Sequence, residues 1–383
     1  MRSRRRKKRR SGCLPAAAVI LTAAVAVLAA LYTVRQKPMD PAGGEEQSLA
    51  GKESSEPEKQ KAEQKQKEPV PETMRETETM RETEAMQETK PVTDQDPAEL
   101  PSSYDIRDHR TVTVSDQGDL GTCWAFAALK AVETSMPGSM AVPLSADHMS
   151  IHNSFRISQN SGGDYSMAMA YLLAWQGPVP EAEDPYGDST SPDGLEPVCH
   201  VQEIRILPGK DYDAVKRAVL RYGGVQTSIY LPSENRGGDG NVCYRGSEEP
   251  NHDTVIIGWD DAYPREKFAS APESDGAFLC VNSWGESFGD GGFFHVSYED
   301  SRIAESGITY CGIESAENYD RNYQSDLCGW TGQMGFGEPE AWMTNVYTAK
   351  SDETLEAVGF YATAPDTEYE VYVSDGENFR GHV

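Results

Sequence analysis

Residues 37–98 most constrain what this chain can fold into, because they cannot supply a hydrophobic core. They are rich in Glu, Gln, Lys, Thr and Pro, and the pattern ETMRETETMRETEAMQET recurs every six residues. A six-residue period fits neither the α-helical repeat nor the coiled-coil heptad. Burial of so little apolar surface cannot offset the conformational entropy that the segment would lose on folding. We therefore expect a disordered acidic stalk rather than a folded inhibitory propeptide. Any core must therefore come from residues 99–383.

The chain begins with a basic cluster followed by an uncharged apolar run. Eight of the first ten residues are Arg or Lys, and residues 13–34 then contain no charge over 22 positions. That length suffices for a helix across the ~30 Å hydrocarbon core, and the positive-inside rule sends everything after it out of the cytoplasm. We expect residues 1–36 to form a single-pass anchor in the cell membrane with the bulk of the protein outside. The alternative is a signal peptide cleaved near residues 27–29, which would give a secreted protein.

The charge balance excludes one class of partner. Acidic residues outnumber basic ones 62 to 35, and nine of the basic residues lie in the first 36 positions. The remainder is strongly acidic, so we expect no nucleic-acid binding through a basic surface.

Helical patterns come first in the globular part and strand patterns come later. Residues 111–114 alternate like a strand, and 122–135 form an Ala-rich helix pattern that ends at a Pro-Gly pair. Two further helical stretches follow, and β-rich segments bounded by Gly, Asn and Asp dominate after residue 200. This order predicts an α+β protein with a mainly helical subdomain packed on a β-barrel or sandwich. Residues 318–383 carry three further strand-like segments and are predicted to form a partial β-rich module.

Four residues could together support nucleophilic catalysis. Cys123 stands at the start of the first helix, where the helix dipole and free amides favour a thiolate and lower its pKa. The alternative for a lone cysteine is a small buried hydrophobic residue. His252 begins an apolar strand, and the side-chain oxygen of Asn282 could orient its imidazole. Gln117 precedes Cys123 across a turn, and its amide could join the Cys123 backbone N–H in an oxyanion hole.

Three blocks that contain these residues resemble the signature blocks of the papain-like cysteine peptidases. They read QGDLGTCWAF, NHDTVIIGW and NSWGESFGDGGFF, in the family's order and spacing. The resemblance covers 99–317 and implies a helical left domain and a β-barrel right domain with the cleft between them. It also implies roles as nucleophile for Cys123, acid and base for His252, orienting residue for Asn282 and oxyanion donor for Gln117.

The resemblance extends to the substrate-binding side of the cleft. It implies that Trp284 shields the His–Asn hydrogen bond and that Gly163, in SGGDYS, pairs with the substrate backbone. Asp253 replaces a residue that is usually small beside the pocket for the second side chain before the scissile bond. We expect Asp253 to favour basic or polar side chains there, unless it turns to solvent or pairs with an Arg or Lys. The family's tie between the loop before its His and a later strand suggests a Cys243–Cys311 disulfide, with Cys280 as a free buried thiol.

Residues 318–383 resemble the lectin-like module that follows some bacterial surface peptidases of this family, which implies a carbohydrate partner. We therefore expect an exported cysteine endopeptidase that acts on proteins or peptides through an acyl-enzyme on Cys123. No zinc-like spacing or calcium loop is present, so we expect no metal and no cofactor. The alternatives are an inactive papain-like surface adhesin or carbohydrate-binding protein, and an acyltransferase of the same chemistry.

Overall fold

The computed structural model describes residues 19–23, 99–231, 239–333, 335, 337–338, 340–364 and 367–373. The predicted stalk over 37–98, and the predicted anchor over 1–36 apart from five residues, lie outside this range. Those five, Val19–Ala23, form a β-strand, β1, instead of the predicted helix. Three of them are β-branched, which favours an extended backbone. Within the described residues, no helix has both the length and the hydropathy to cross a bilayer.

Four α-helices occur in the described part of the chain. They are α1 (Cys123–Ser135), α2 (Ala146–His152), α3 (Tyr165–Leu173) and α4 (Tyr212–Arg221). Helix α1 contains neither Gly nor Pro and ends where Met136 turns extended. The first three helices confirm the predicted helical region, whereas α4 was not predicted.

Seven strands of the described residues form one antiparallel sheet. They are β2 (Ser103–Asp105), β3 (Cys199–Leu207), β4 (Val225–Ile229), β5 (His252–Asp260), β6 (Ala277–Val281), β7 (Phe293–Ser297) and β8 (Gly307–Ser315). Their order is β3-β8-β4-β5-β6-β7, and β2 pairs with β5. A further strand, β9 (Met343–Tyr347), pairs with β1 and with no other described strand.

Strand β5 is the centre of the sheet. Its first half pairs with β4, with Ile229 opposite His252, and its second half pairs with β2. Val255 and Ile257 lie in the core with α1, whereas Ile256 lies in a second core with α4. A strand buried on both faces is a rigid support, and it holds His252 at its first residue. Among the described residues no ladder joins β3 to β7, so the sheet has two edges and does not close into the predicted barrel.

Three predicted strand segments are wrong. Residues 111–114 are not in a strand; Lys130 of α1 donates a hydrogen bond to the Thr113 hydroxyl (2.7 Å) there instead. In the C-terminal part β9 confirms one predicted strand, but 355–363 and 368–373 are not in strands. A segment with alternating apolar and polar residues forms a strand only where a neighbouring strand pairs with it. No described strand pairs with these segments.

Candidate active site

Cys123 is the first residue of α1 and is half-buried. The turn before it is held by the Tyr186 hydroxyl, which donates to the Gln117 carbonyl (2.9 Å). Because that bond uses the only Tyr186 hydroxyl proton, the Thr122 hydroxyl donates to Tyr186 in their 2.7 Å contact. Two hydrogen bonds therefore fix the path of the chain from Gln117 to the thiol.

The environment of the Cys123 thiol raises its pKa, whereas the sequence predicted a lowered pKa. Burial, together with the charge of Asp253, raises the pKa of Cys123 to about 11. Hydrogen bonds from the backbone amides of Asp253, Trp124 and Cys123 itself act in the opposite direction but do not outweigh burial. The prediction of a lowered pKa is therefore wrong, because the helix start is packed against β5 rather than open to water.

His252 and Asn282 form a buried hydrogen-bonded pair. The His252 Nε2 atom lies 2.7 Å from Asn282 Oδ1, and both side chains are buried. Asn282 Oδ1 also accepts from the Ser283 backbone N–H (2.8 Å), so this oxygen acts as an acceptor and His252 Nε2 carries the proton. The Trp284 ring lies over the imidazole with centroids 4.5 Å apart, which excludes water from one side of the pair.

The nucleophile and this pair lie beside one another. The backbone amide of Asp253, the residue directly after His252, is one of the groups that act to lower the pKa of the Cys123 thiol. Helix α1 and strand β5 thus bring together two residues that lie 129 positions apart in the sequence.

Gln117 is buried and held through Ser283 on the loop after β6. Its Oε1 accepts from the Ser283 hydroxyl (2.7 Å), and its backbone N–H donates to the Ser283 carbonyl (2.8 Å). The Gln117 amide nitrogen donates one of its two hydrogens to the Leu120 carbonyl (2.7 Å). Since Ser283 also binds Asn282, one loop residue fixes both predicted polar groups.

Gly163 lies directly against the indole of Trp124. A Cβ atom at position 163 would lie 2.5 Å from the Trp124 Nε1 atom, closer than any real contact. Only glycine fits this approach, and it brings the SGGDYS loop alongside the residue next to the nucleophile.

Asp253 neither turns to solvent nor pairs with an Arg or Lys among the described residues. Its side chain is buried and accepts from the Ser228 hydroxyl (2.6 Å) and the Gln226 amide (2.9 Å). The Tyr310 hydroxyl donates to the other end of Gln226 (2.7 Å). Burial raises the pKa of Asp253 to about 6.

Sequence reasoning missed this supporting network. Gln226 and Ser228 are polar residues two apart in a strand that is otherwise buried, so both point to one face. Two polar side chains on the core-facing side of one strand could have indicated this network, because buried polar groups require hydrogen-bond partners.

The predicted Cys243–Cys311 disulfide is wrong, because both thiols are free. Cys311 lies in β8, whereas Cys243 follows Val242, which pairs with Val296 of β7. Three strands lie between β8 and β7 in the sheet, and neighbouring strands are about 4.8 Å apart. The two cysteines are therefore much farther apart than the Cα–Cα distance of about 4.4–6.8 Å that a disulfide requires. Cys280 is a free, fully buried thiol, as predicted.

Two family sequence models match the chain. Residues 100–320 match the papain family cysteine protease model, and residues 322–381 match the lectin-like domain model.

Curated relatives match the first of these regions. The cysteine protease Amb a 11.0101 of Ambrosia artemisiifolia is 28% identical over 206 residues, which cover 52% of this chain and 50% of that protein. Cathepsin L of Sarcophaga peregrina is 26% identical over 238 residues, which cover 57% of this chain and 63% of that protein. The chain thus spans between half and two thirds of the length of these relatives.

Solved structures of a bacterial protein are also similar. The clostridial cysteine protease Cwp84 after propeptide cleavage is 30% identical, with a TM-score of 0.53, over 56% of this chain and 59% of that one. The cysteine protease and lectin-like domains of Cwp84, a surface layer associated protein of Clostridium difficile, are 29% identical. Their TM-score is 0.53, over 57% of this chain and 53% of that one.

Proposed function

Because the chain belongs to the papain family of cysteine proteases, we propose that it is an exported cysteine endopeptidase that works through an acyl-enzyme on Cys123. The observation that carries the proposal is the 2.7 Å bond from His252 Nε2 to Asn282 Oδ1. The Cys123 thiol lies close enough to Asp253, the residue directly after His252, for that residue to affect the pKa of the thiol. This arrangement supplies a nucleophile, a base and a residue that orients the base.

The hydrogen bond to Asn282 determines which nitrogen of His252 acts as the base. With Nε2–H committed to Asn282, Nδ1 is the nitrogen that takes the Cys123 proton. The transfer creates a thiolate and an imidazolium together, so the net charge of the pair does not change. An isolated buried thiolate is destabilised by the loss of solvation, and this loss raises the thiol pKa. Forming the thiolate next to an imidazolium avoids most of that destabilisation.

The thiolate then attacks the carbonyl carbon of the peptide bond, and a C–S bond forms. The oxyanion accepts hydrogen bonds from the Gln117 amide and the Cys123 backbone N–H. His252 returns its proton to the amine as the C–N bond breaks, which leaves the acyl-enzyme. A water molecule, deprotonated by His252, releases the acid and restores the thiol.

The N-terminal and C-terminal segments bear on the proposed location and partners of the enzyme. The basic cluster and uncharged run of residues 1–36 support export, with secretion if the segment is cleaved. The match to a lectin-like domain over 322–381 supports a carbohydrate partner near the protein or peptide substrates. That same match favours the second candidate function, a surface adhesin that does not hydrolyse peptides.

Hydrolysis of a peptide–coumarin amide tests the proposal and separates the two candidates. We expect the wild type to release coumarin and the Cys123→Ala variant to be slower by ~10³-fold or more, because the nucleophile is gone. Cys328→Ala is the matched control, since that thiol lies outside the site near the Ser154 carbonyl, and its rate should equal that of the wild type. A wild type without turnover, or a Cys123→Ala variant with unchanged turnover, contradicts the proposed function.

A further inference from the structure

The side chain of Asn282 has one polar atom that the pair with His252 does not use. Its Oδ1 atom accepts from His252 Nε2 and from the Ser283 backbone N–H, which identifies the other end of the amide as Nδ2. This nitrogen is buried and has no hydrogen-bond partner among the described residues. A buried donor without a partner destabilises the conformation that leaves it so. A partner for Nδ2 would therefore stabilise Asn282 in the position from which it orients His252.

Asn282 lines a small cavity between α1, β5 and the loop after β6. The space suffices for about one water molecule, which needs about two to four polar partners to be held in a protein interior. The polar residues that line the cavity are Ser115, Lys130, Asp253, Thr254, Asn282 and Ser283. The cavity therefore has enough polar groups to hold a water molecule.

Lys130 is the residue that α1 contributes to the polar part of this cavity, and it is only 6% exposed. Lysine is rarely buried unless its charge is paired. The Lys130 ammonium donates to the Thr113 hydroxyl (2.7 Å) and to the Glu133 carboxylate. An ammonium has three hydrogens, so these two bonds leave one hydrogen for the cavity.

Resting on the proposed function, we propose that the cavity binds one water molecule that accepts hydrogen bonds from Asn282 Nδ2 and Lys130 Nζ. Lys130 is thereby a positioning residue for the reaction. The hydroxyl oxygens of Ser115 and Ser283 can accept the two hydrogens of this water. A bridging water is enthalpically nearly as favourable as a direct hydrogen bond. It connects Asn282, which orients the base, to α1, the helix that carries the nucleophile Cys123.

Two substitutions separate this role from the ion pair of Lys130 with Glu133, because both break the pair and only one removes the donor. Lys130→Met removes the ammonium, whereas Glu133→Gln removes the carboxylate charge and leaves Lys130 bonded to Thr113. We would measure kcat and KM on a neutral peptide–coumarin amide and divide each rate by the concentration of sites that an epoxide probe labels. For Lys130→Met we expect kcat to fall by about 10-fold with KM within about twofold of the wild type. Glu133→Gln should keep kcat within about twofold of the wild type.

A double-mutant cycle shows whether Lys130 acts through Asn282. In the Asn282→Ala background, where the amide is absent, adding Lys130→Met should change kcat by less than about twofold. A lysine with a purely structural role would lower kcat by the same factor in both backgrounds. If Lys130→Met does not fold, the variant Lys130→Met/Glu133→Gln takes its place, because it removes both charges of the buried pair. A high-resolution crystal structure of the wild type should show one ordered water within hydrogen-bond distance of Asn282 Nδ2 and Lys130 Nζ.

Equal kcat values for Lys130→Met and Glu133→Gln overturn the inference, as does a Lys130→Met effect that persists unchanged in Asn282→Ala. A crystal structure of the wild type without an ordered water between Asn282 and Lys130 also overturns it. Each of these results leaves the proposed function standing as long as the wild type hydrolyses the peptide. Absence of turnover by the wild type, with no label on Cys123, would instead reject the proposed function itself.

Discussion

At the nucleophile, burial and hydrogen bonding act in opposite directions. Three backbone amides favour the Cys123 thiolate, but desolvation and Asp253 dominate and raise the thiol pKa to about 11. In the free enzyme the thiol therefore stays protonated unless His252 takes the proton. The reactive state depends on the pair rather than on the cysteine alone, which explains why the position of His252 on a rigid strand matters.

The buried Asp253 carboxyl makes stability depend on pH in a direction opposite to that of most carboxylates. Its pKa in the folded state is about 6, above its value in the unfolded chain. The folded state therefore holds a proton that the unfolded state has lost, and stability falls as pH rises through 6. Relative to Asp253→Asn, the wild type should lose on the order of 3 kcal/mol of unfolding free energy between pH 4 and pH 7.5.

Urea unfolding of both proteins at the two pH values measures this effect. Other titrating groups are common to both proteins and cancel in the difference. A difference between wild type and Asp253→Asn that is the same at pH 4 and pH 7.5 would mean that Asp253 is not buried as described.

Among the elements, α1 and the loop before α3 are in close contact. Trp124 is almost fully buried and lies against Gly163. Gly163→Ala would place a methyl group 2.5 Å from the indole nitrogen, so either the loop or the helix start must move. We expect a loss of about 1–3 kcal/mol in stability and a lower kcat/KM.

Gly138 provides the matched control for that change. A Cβ atom there meets no atom within 4 Å, so Gly138→Ala should leave both stability and activity close to the wild type. Thermal unfolding and peptide hydrolysis of the two variants test the contact. Equal behaviour of Gly163→Ala and Gly138→Ala would show that the loop does not pack on Trp124.

The sequence predicted those elements whose signal is local. The Ala-rich run after Cys123 predicted α1, and the β-branched apolar run after His252 predicted β5. The resemblance of the three blocks to the papain-like signature blocks implied the His252–Asn282 pair, which the structure contains.

Features that depend on packing were not predicted. The thiol pKa depends on how α1 packs against β5, which no local pattern contains. The proposed Cys243–Cys311 bridge failed because strand order, rather than strand identity, decides which cysteines meet. The alternation at 111–114 was real, but no strand in the described part of the chain pairs with that segment.

At the scale of the whole molecule, we expect the peptidase part to need the chain only from about residue 97 onward. The indole N–H of Trp259 in β5 donates to the Pro101 carbonyl (3.0 Å), and the Asp261 N–H donates to the Ser102 carbonyl (2.9 Å). The segment 37–98 lacks the apolar residues for a core. We expect a chain that starts at Pro97 to fold and to retain kcat/KM within about twofold of the full chain.

A chain that starts at Tyr104 is the informative comparison. It lacks both carbonyls and the first residue of β2, so it should unfold at lower urea concentration than the chain that starts at Pro97. If the Pro97 chain is inactive while the full chain works, residues 37–98 have a folding or regulatory role.

Covalent labelling tests the central claim, that Cys123 is the nucleophile of a papain-type site, most directly. The full chain would be treated with an epoxide probe for cysteine peptidases, digested, and mapped by tandem mass spectrometry. We predict one label, on the peptide that contains Cys123, and its loss in Cys123→Ala. The other five thiols of the described residues, at positions 199, 243, 280, 311 and 328, should stay unmodified. A label on any of these instead, or no label on a folded chain, would contradict the account.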